Sequence, residues 1–218
     1  MNTNISKFSL KHRIAHEIRK LIYEGKLTQG EKVTETQIAQ DLDVSRTSVR
    51  EAMLLLELEG LLISSPYKET RVATISREEV VEILIPLRIK IETYALKKGL
   101  PIWTAETKDQ FRSILEKMKK AVIFEDLSTF IELDLQFHEL IVTASQLENI
   151  IRIWESIVHR IRLHFLYQNS KSGTLQKWLV EHEELGDILL SGGAAEEAVT
   201  ALTNHIVDTN IPDVYLLD

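Results

Sequence analysis

A chain of 218 residues is long enough for one large domain or two small ones, and 44% apolar with 27% charged residues is the balance of a globular protein that buries a full core. The absence of cysteine excludes disulfides, thiolate metal sites and a cysteine nucleophile, and no window reaches the ~18 apolar residues of a membrane span. The net charge of -7 divides unevenly: residues 1 to 75 hold 11 Lys and Arg against 10 Asp and Glu, the remainder 15 against 23, so the acidity belongs to the second part. Charges interrupt every apolar stretch of the N-terminus, which predicts a soluble, cytoplasmic protein with no membrane partner.

From Phe8 to Tyr23 the apolar residues Phe8, Leu10, Ile14, Ile18, Leu21 and Ile22 follow a helical spacing, and Gly25 stops that helix. Thr34 with Gln37 three residues later is a capping-box pattern, opening a short helix through Ile38, Ala39 and Leu42. Asp43 and Val44 form a break, and Ser45 caps a third helix through Val49, Ala52, Leu55, Leu56 and Leu58, ended by Gly60. Leu61 to Ala73 reads as two short strands around a polar tip, so residues 1 to 75 are expected to form a winged helix-turn-helix.

Ser76 with Glu79 is another capping box, and the chain beyond it reads as helical almost throughout. Breaks near Gly99-Leu100-Pro101, Glu125-Asp126, Ser145-Gln146, Ser172-Gly173 and Ser191-Gly192-Gly193 divide residues 76 to 218 into an all-helical bundle of about six helices. The expected fold class is therefore mainly α.

A helix-turn-helix sets its second helix in the major groove, with short polar and Arg side chains in the first two turns and apolar ones behind. Ser45, Arg46, Thr47, Ser48 and Arg50 supply the first set, Val49 and Ala52 the second. Arg46 and Arg50 lie four apart on one face, where either can pair bidentately with guanine or grip phosphate, and the hydroxyls suit phosphate contacts at a helix N-terminus. Two solvated arginines paired with Glu51 or Glu57 would satisfy the same spacing. The succession of capped short helix, tight break, Arg-bearing helix and wing within about 40 residues favours DNA.

In the second part, Asp134 and His138 stand four apart, with side chains about 6 Å apart on one helical face, and His182 and His205 fall in two later helices. One Asp and three His converging inside a bundle would suit a borderline divalent metal ion such as zinc, nickel or manganese. The same Asp and His spacing also fits a hydrogen-bonded pair on a wet face. His159 and His164 lack a comparable pattern, and His12 and His16 are expected at the surface. Arg88 and Glu92 form another same-face pair, which an intrahelical ion pair would explain.

The run GKLTQGEKVTETQIAQDLDVSRTSVREAMLLLELEGLL resembles the N-terminal winged helix of the GntR family of bacterial regulators, with the likeness extending over residues 8 to 74. That resemblance implies operator contacts at Ser45, Arg46, Thr47, Ser48 and Arg50. Two positions depart from the family pattern: Thr36 stands where an Arg is common and Tyr67 where the wing tip often has Gly, leaving Lys68 and Arg71 as the expected wing contacts. Residues 77 to 218 are similar to the FCD ligand-binding domain of the FadR-like branch, closer in helix number to the VanR-type subgroup. A family Asn beyond the Asp-x-x-x-His helix is replaced near Leu147.

The resemblance implies that Asp134, His138, His182 and His205 ligate a divalent metal and that Arg88 points into an effector cavity. A guanidinium facing a metal favours a small carboxylate effector. The implied protein is a homodimer on double-stranded palindromic operator DNA with half-sites about 34 Å apart, a transcription regulator and not an enzyme, releasing DNA on effector binding as a repressor does. Two rivals remain. A metal-dependent hydrolase would activate water at the same cluster, although no general base stands out nearby. Alternatively, a DNA binder could use its second domain only to dimerise.

Overall fold

The computed structural model describes residues 10–64, 69–168 and 174–210. Contacts divide the chain into two compact units between Ile75 and Ser76.

The first unit runs α1 (Leu10–Tyr23), β1 (Lys32–Val33), α2 (Glu35–Asp41), α3 (Arg46–Leu58), β2 (Leu62–Ser64) and β3 (Thr70–Val72). Helix α1 buries Ile14, Ile18 and Ile22, one per turn, and packs on α3. Helix α3 buries Val49, Ala52, Met53 and Leu56. Each such isoleucine contributes roughly 1.5–3 kcal/mol over leaving it exposed. Arg19 of α1 forks onto the Glu59 carboxylate just beyond α3, at 2.6 to 3.0 Å.

The predicted caps form, each only in part as a box. Thr34 Oγ1 accepts the Gln37 N–H at 3.3 Å, while the Gln37 side chain bonds Asp41 at 2.8 Å and does not return to Thr34. Ser45 Oγ accepts the Ser48 N–H at 3.2 Å. Between α2 and α3, Asp43 turns the chain with φ of 51°, a left-handed conformation that a short polar side chain tolerates.

The two strands read on either side of the wing tip form as β2 and β3, and a third strand that the sequence did not disclose joins them. The sheet has three antiparallel strands in the order β1-β3-β2, with Lys32 opposite Arg71 and Val33 opposite Thr70. Two residues wedged between Gly30 and the Thr34 cap are too few to display an alternating pattern, so β1 is defined by its partner strand alone.

In the second unit Ser76 Oγ accepts the Glu79 N–H at 3.1 Å and starts α4 (Arg77–Glu79). The Glu79 carboxylate reaches Arg160 at 2.5 to 2.9 Å, so this box is also half made. A π-helical turn, Val80–Leu84, follows, in which the Ile85 N–H reaches back five residues to the Val80 carbonyl. Pro86, lacking an N–H, cannot sustain the α-helical bond at the next position.

Six long helices follow: α5 (Ile85–Gly99), α6 (Ala105–Ile123), α7 (Leu127–Thr143), α8 (Glu148–Gln168), α9 (Thr174–Leu190) and α10 (Ala195–Asn210). A 3-10 turn, Leu100–Ile102, marks the predicted Gly99-Leu100-Pro101 break. Glu125, Gln146 and Gly192, with φ of 52°, 59° and 76°, mark three others. The break at Ser172-Gly173 lies outside the described residues.

Helix α7 is buried nearly all round, through Phe130, Ile131, Leu133, Leu135, Phe137, Ile141 and Val142. It is accordingly the central helix, with α5, α6 and α8 packed on it. Asp134 and His138 enter the interior on this helix. Helices α9 and α10 pack on each other, α9 also on α6 and α10 on α5. The expected mainly α architecture, a winged helix and then a helical bundle, is the one observed. Among the described residues no helix is long and apolar enough to cross a membrane.

Candidate functional site

Ser45, Arg46, Thr47 and Arg50 lie exposed on the first turns of α3, with Ser48 half-buried and Val49 buried behind them. Their partners differ from those the sequence suggested. Among the described residues the two arginines pair with neither Glu51 nor Glu57; Glu35, the first residue of α2, receives both. Arg50 donates Nε to Glu35 Oε1 at 2.7 Å and Nη2 to Oε2 at 2.9 Å, and Arg46 Nη2 reaches Oε2 at 3.5 Å. The Arg50 hydrogen bond leads the influences on the Glu35 pKa and lowers it; burial opposes it, and the charges of Arg50 and Arg46 add to the lowering.

Ser45 and Ser48 also share a hydroxyl contact at 2.9 Å. On the wing, Arg71 donates to the Gly30 carbonyl at 2.7 Å and to Glu69 at 2.6 Å, and remains half exposed. Tyr67 and Lys68 lie outside the described residues.

A groove of about 640 Å³ in this unit is lined by α1 side chains, including His12, Arg13 and His16, and by Leu42 and Val44 at the turn. It contains none of the residues of the histidine cluster. His12 and His16 are exposed as expected, and His164 is buried with its ring 5.6 Å from that of Phe165.

The cluster assembles in the second unit. Asp134 and His138 from α7, His182 from α9 and His205 from α10 are all buried, and one ligand atom of each lies within 4.8 Å of the others. Asp134 Oδ1 is 3.0 Å from His182 Nε2 and 4.0 Å from His138 Nε2. The His182 and His205 rings meet edge-on at 4.4 Å, and the His138 and His205 rings stack at 5.2 Å.

Two of the imidazoles have their outer nitrogens assigned by acceptors. His182 Nδ1 lies 2.8 Å from the Trp178 carbonyl, and His138 Nδ1 lies 2.5 Å from Glu92 Oε2. A carbonyl or carboxylate only accepts, so each Nδ1 carries the hydrogen and each Nε2 faces inward with its lone pair.

The inward atoms have no aligned hydrogen-bond partner: Asp134 Oδ2, His138 Nε2, His182 Nε2 and both His205 nitrogens. Buried acceptors left without donors are costly, and a shared cation would satisfy all of them, so the donor set fits a divalent ion. The electrostatics agree. Burial, reinforced by the Arg88 charge, lowers the His138 pKa against the opposing pull of Glu92 and Asp134. Burial and the charges of His182, His138 and Arg88 place His205 well below its ordinary value. Burial alone would raise Asp134, but contact with His182 and the charges of His138, His182 and Arg88 bring it to about 2. A carboxylate and neutral imidazoles are the ligand forms that a metal requires.

Arg88 is buried, with Nε on Glu92 Oε1 at 2.7 Å and its guanidinium over the Phe165 ring at 5.6 Å. The intrahelical ion pair allowed by the sequence is therefore present. What the spacing did not disclose is that Glu92 uses its other oxygen on His138, 46 residues away. Glu35, 11 and 15 residues before Arg46 and Arg50, was missed for the same reason.

The family profile for bacterial regulatory proteins of the gntR family matches residues 10–72, and that for the FCD domain matches residues 83–208. An uncharacterized HTH-type transcriptional regulator, YdhC of Bacillus subtilis (strain 168), is 29% identical over 196 residues, 87% of this chain and 86% of that protein. A probable D-xylose utilization operon transcriptional repressor of Paenarthrobacter nicotinovorans is 28% identical over 205 residues, 92% of this chain and 89% of that protein. Among solved structures, a transcriptional regulator GntR from Rhodococcus sp. RHA1 superposes with a TM-score of 0.83 over 93% of this chain and 96% of that one. At 23% identity this is a likeness of fold. Escherichia coli McbR/YncC superposes with a TM-score of 0.78 at 21% identity, covering 91% and 94%. The chain belongs to the GntR family of bacterial transcription regulators, a DNA-binding winged helix followed by an FCD domain, and is a regulator rather than an enzyme.

Proposed function

We propose that this protein is a cytoplasmic, homodimeric repressor whose hold on a palindromic operator is controlled by a small carboxylate bound beside a divalent ion in the FCD domain. The observation that carries this reading is the buried set of inward lone pairs on Asp134, His138, His182 and His205. Those four residues would hold zinc, nickel or manganese, and the bound ion would supply a Lewis-acidic centre for an anionic ligand.

Charge bookkeeping supports a carboxylate. A divalent ion and Arg88 bring three positive charges, Asp134 and Glu92 two negative ones, and the single positive charge left over in a buried site calls for one anionic partner. Arg88 is the residue to meet that partner, because a guanidinium can address a carboxylate with two parallel donors. The six long helices α5 to α10 agree with a VanR-type FCD domain. The repressor reading follows the name of the Paenarthrobacter nicotinovorans relative.

On the DNA side, Ser45, Arg46, Thr47, Ser48 and Arg50 are proposed to contact the operator, with Lys68 and Arg71 reaching from the wing. Dimerisation is supported by an exposed apolar row, Ile83, Leu87 and Tyr94, along one side of α5 and the turn before it, which a second copy would cover.

The test uses full-length protein stripped by chelator and reloaded with zinc, nickel or manganese. Thermal shift with a panel of small carboxylates comes first, then binding to an operator selected from random duplexes. Stabilisation by an ion, further stabilisation by a carboxylate and a change of operator affinity with that carboxylate are expected. Indifference to all three ions, with His138→Ala binding operator as wild type does and no carboxylate changing the operator affinity of either protein, would sink metal-linked sensing and leave the second domain as a dimerisation unit.

A further inference from the structure

We infer that Glu92 is a positioning residue for the ion held by His138, setting which nitrogen His138 offers and in what direction. This rests on the metal reading above. Glu92 and His138 both have 0% exposure, so their contact is neither screened nor exchanged with water. Glu92 Oε2 sits 2.5 Å from His138 Nδ1, and Oε1 of the same carboxylate sits 2.7 Å from Arg88 Nε. The Arg88 contact holds one end of the carboxylate, and the other end holds the imidazole. His138 is thereby left with Nε2 toward Asp134.

Glu92 comes from α5, whereas the four candidate ligands come from α7, α9 and α10. It thus ties a helix that supplies no ligand to the geometry of the site. His182 has an equivalent partner in the Trp178 carbonyl, a backbone group beyond the reach of substitution. His205 has none for either nitrogen. Of these three imidazoles, His138 is therefore the one whose orientation a side-chain change can release. Outer partners of this kind fix ring orientation and raise ligand basicity, and losing one typically weakens metal binding ~10- to 100-fold.

The charge of Glu92 also acts on a cation directly, so positioning must be separated from simple attraction. Arg88 and Glu92 together are neutral, and removing both leaves the net charge around the ion unchanged. The variants are Glu92→Met, which removes the acceptor as well as the charge, and the double variant Arg88→Met/Glu92→Met, the second sparing Arg88 a buried, uncompensated charge if the first fails to fold. Full-length proteins are stripped of metal and titrated with zinc and nickel against a competing chelator. The cobalt(II) form of each is recorded in the visible range, where band position and intensity report ligand geometry.

Both variants are expected to bind the ions roughly 10- to 100-fold more weakly and to shift the cobalt bands. Wild-type affinity and an unchanged cobalt spectrum in a folded double variant would overturn the inference, reducing Glu92 to the counter-charge of Arg88. If wild type itself takes up none of the ions in the same titration, the metal reading fails, and that outcome is distinct from the failure of Glu92 alone.

Discussion

Arg50 of the recognition helix is held in two places by Glu35 of the preceding helix, Nε at 2.7 Å and Nη2 at 2.9 Å, with Arg46 on the same carboxylate at 3.5 Å. The two arginines proposed to meet the operator are thus tethered to an acid with which a phosphate or a guanine would compete. Such a tether holds the forks in one geometry and discourages binding to arbitrary sequence.

Glu35→Gln should therefore raise affinity for scrambled duplex by roughly tenfold at moderate salt and steepen its salt dependence by about one counterion. Operator affinity should rise less, so the specificity ratio falls. Folding stability should change little, because the Arg50 side chain is 63% exposed and the pair is solvent-screened. Fluorescence anisotropy on both duplexes decides the matter, and unchanged affinity for scrambled DNA would remove Glu35 from this role.

Ser45 carries two roles that can be separated. As the cap of α3 it accepts the Ser48 N–H, so Ser45→Ala should cost ~1 kcal/mol in denaturant unfolding. Ser45→Asp keeps the cap and adds a negative charge where a phosphate is proposed to lie. Its melting temperature should match wild type while operator binding drops at least tenfold. Full operator affinity in Ser45→Asp would place the phosphate elsewhere.

Metal-free protein should lose stability as the solution is acidified. His138 and His205 are lowered from 6.5 in the folded chain, so the unfolded chain takes up protons first. Stability is complete above 6.5 and drains away as pH falls through the lower folded values. Asp134 adds a second decline, present above 3.8 and lost as pH falls to about 2. Melting temperature of chelator-treated protein from pH 8 to 5 should decrease, and His205→Leu should show a shallower slope. Parallel slopes would contradict the assignment of His205 as buried and neutral.

Two helix glycines should respond differently to alanine. A Cβ on Gly99 would stand 3.0 Å from Ser145 Cα and 3.1 Å from its N, backbone atoms that cannot turn aside. Gly99→Ala should lose about 1–3 kcal/mol through overpacking. At Gly186 the new Cβ would meet Leu115 Cδ1 at 2.7 Å, the tip of a rotatable side chain. The ~1 kcal/mol of helix propensity gained there should offset the repacking, leaving Gly186→Ala near neutral by chemical denaturation. Equal losses at both sites would show that Leu115 is locked in its rotamer.

How much could be read before folding depended on the distance over which each signal acts. The capping patterns at Thr34, Ser45 and Ser76, the break at Asp43 and the stripe Ile14, Ile18, Ile22 are local, and each appears where the pattern placed it. The histidines illustrate the limit. Asp134 and His138 share one helical face by spacing alone, but His182 and His205 reach them because α9 and α10 pack within the same bundle. Strand β1 exists only because β3 runs beside it.

By itself, then, the sequence determined the order and type of the main elements and the placing of Asp134 and His138 on one helical face, because periodicity, capping and spacing act within a few residues. The tertiary structure alone decided the partners: Glu35 for Arg46 and Arg50, and Glu92 for both Arg88 and His138. A carboxylate's affinity for a guanidinium or an imidazole carries no sequence address. Which acid meets which base is set by the packing of the hydrophobic faces that bring their helices together.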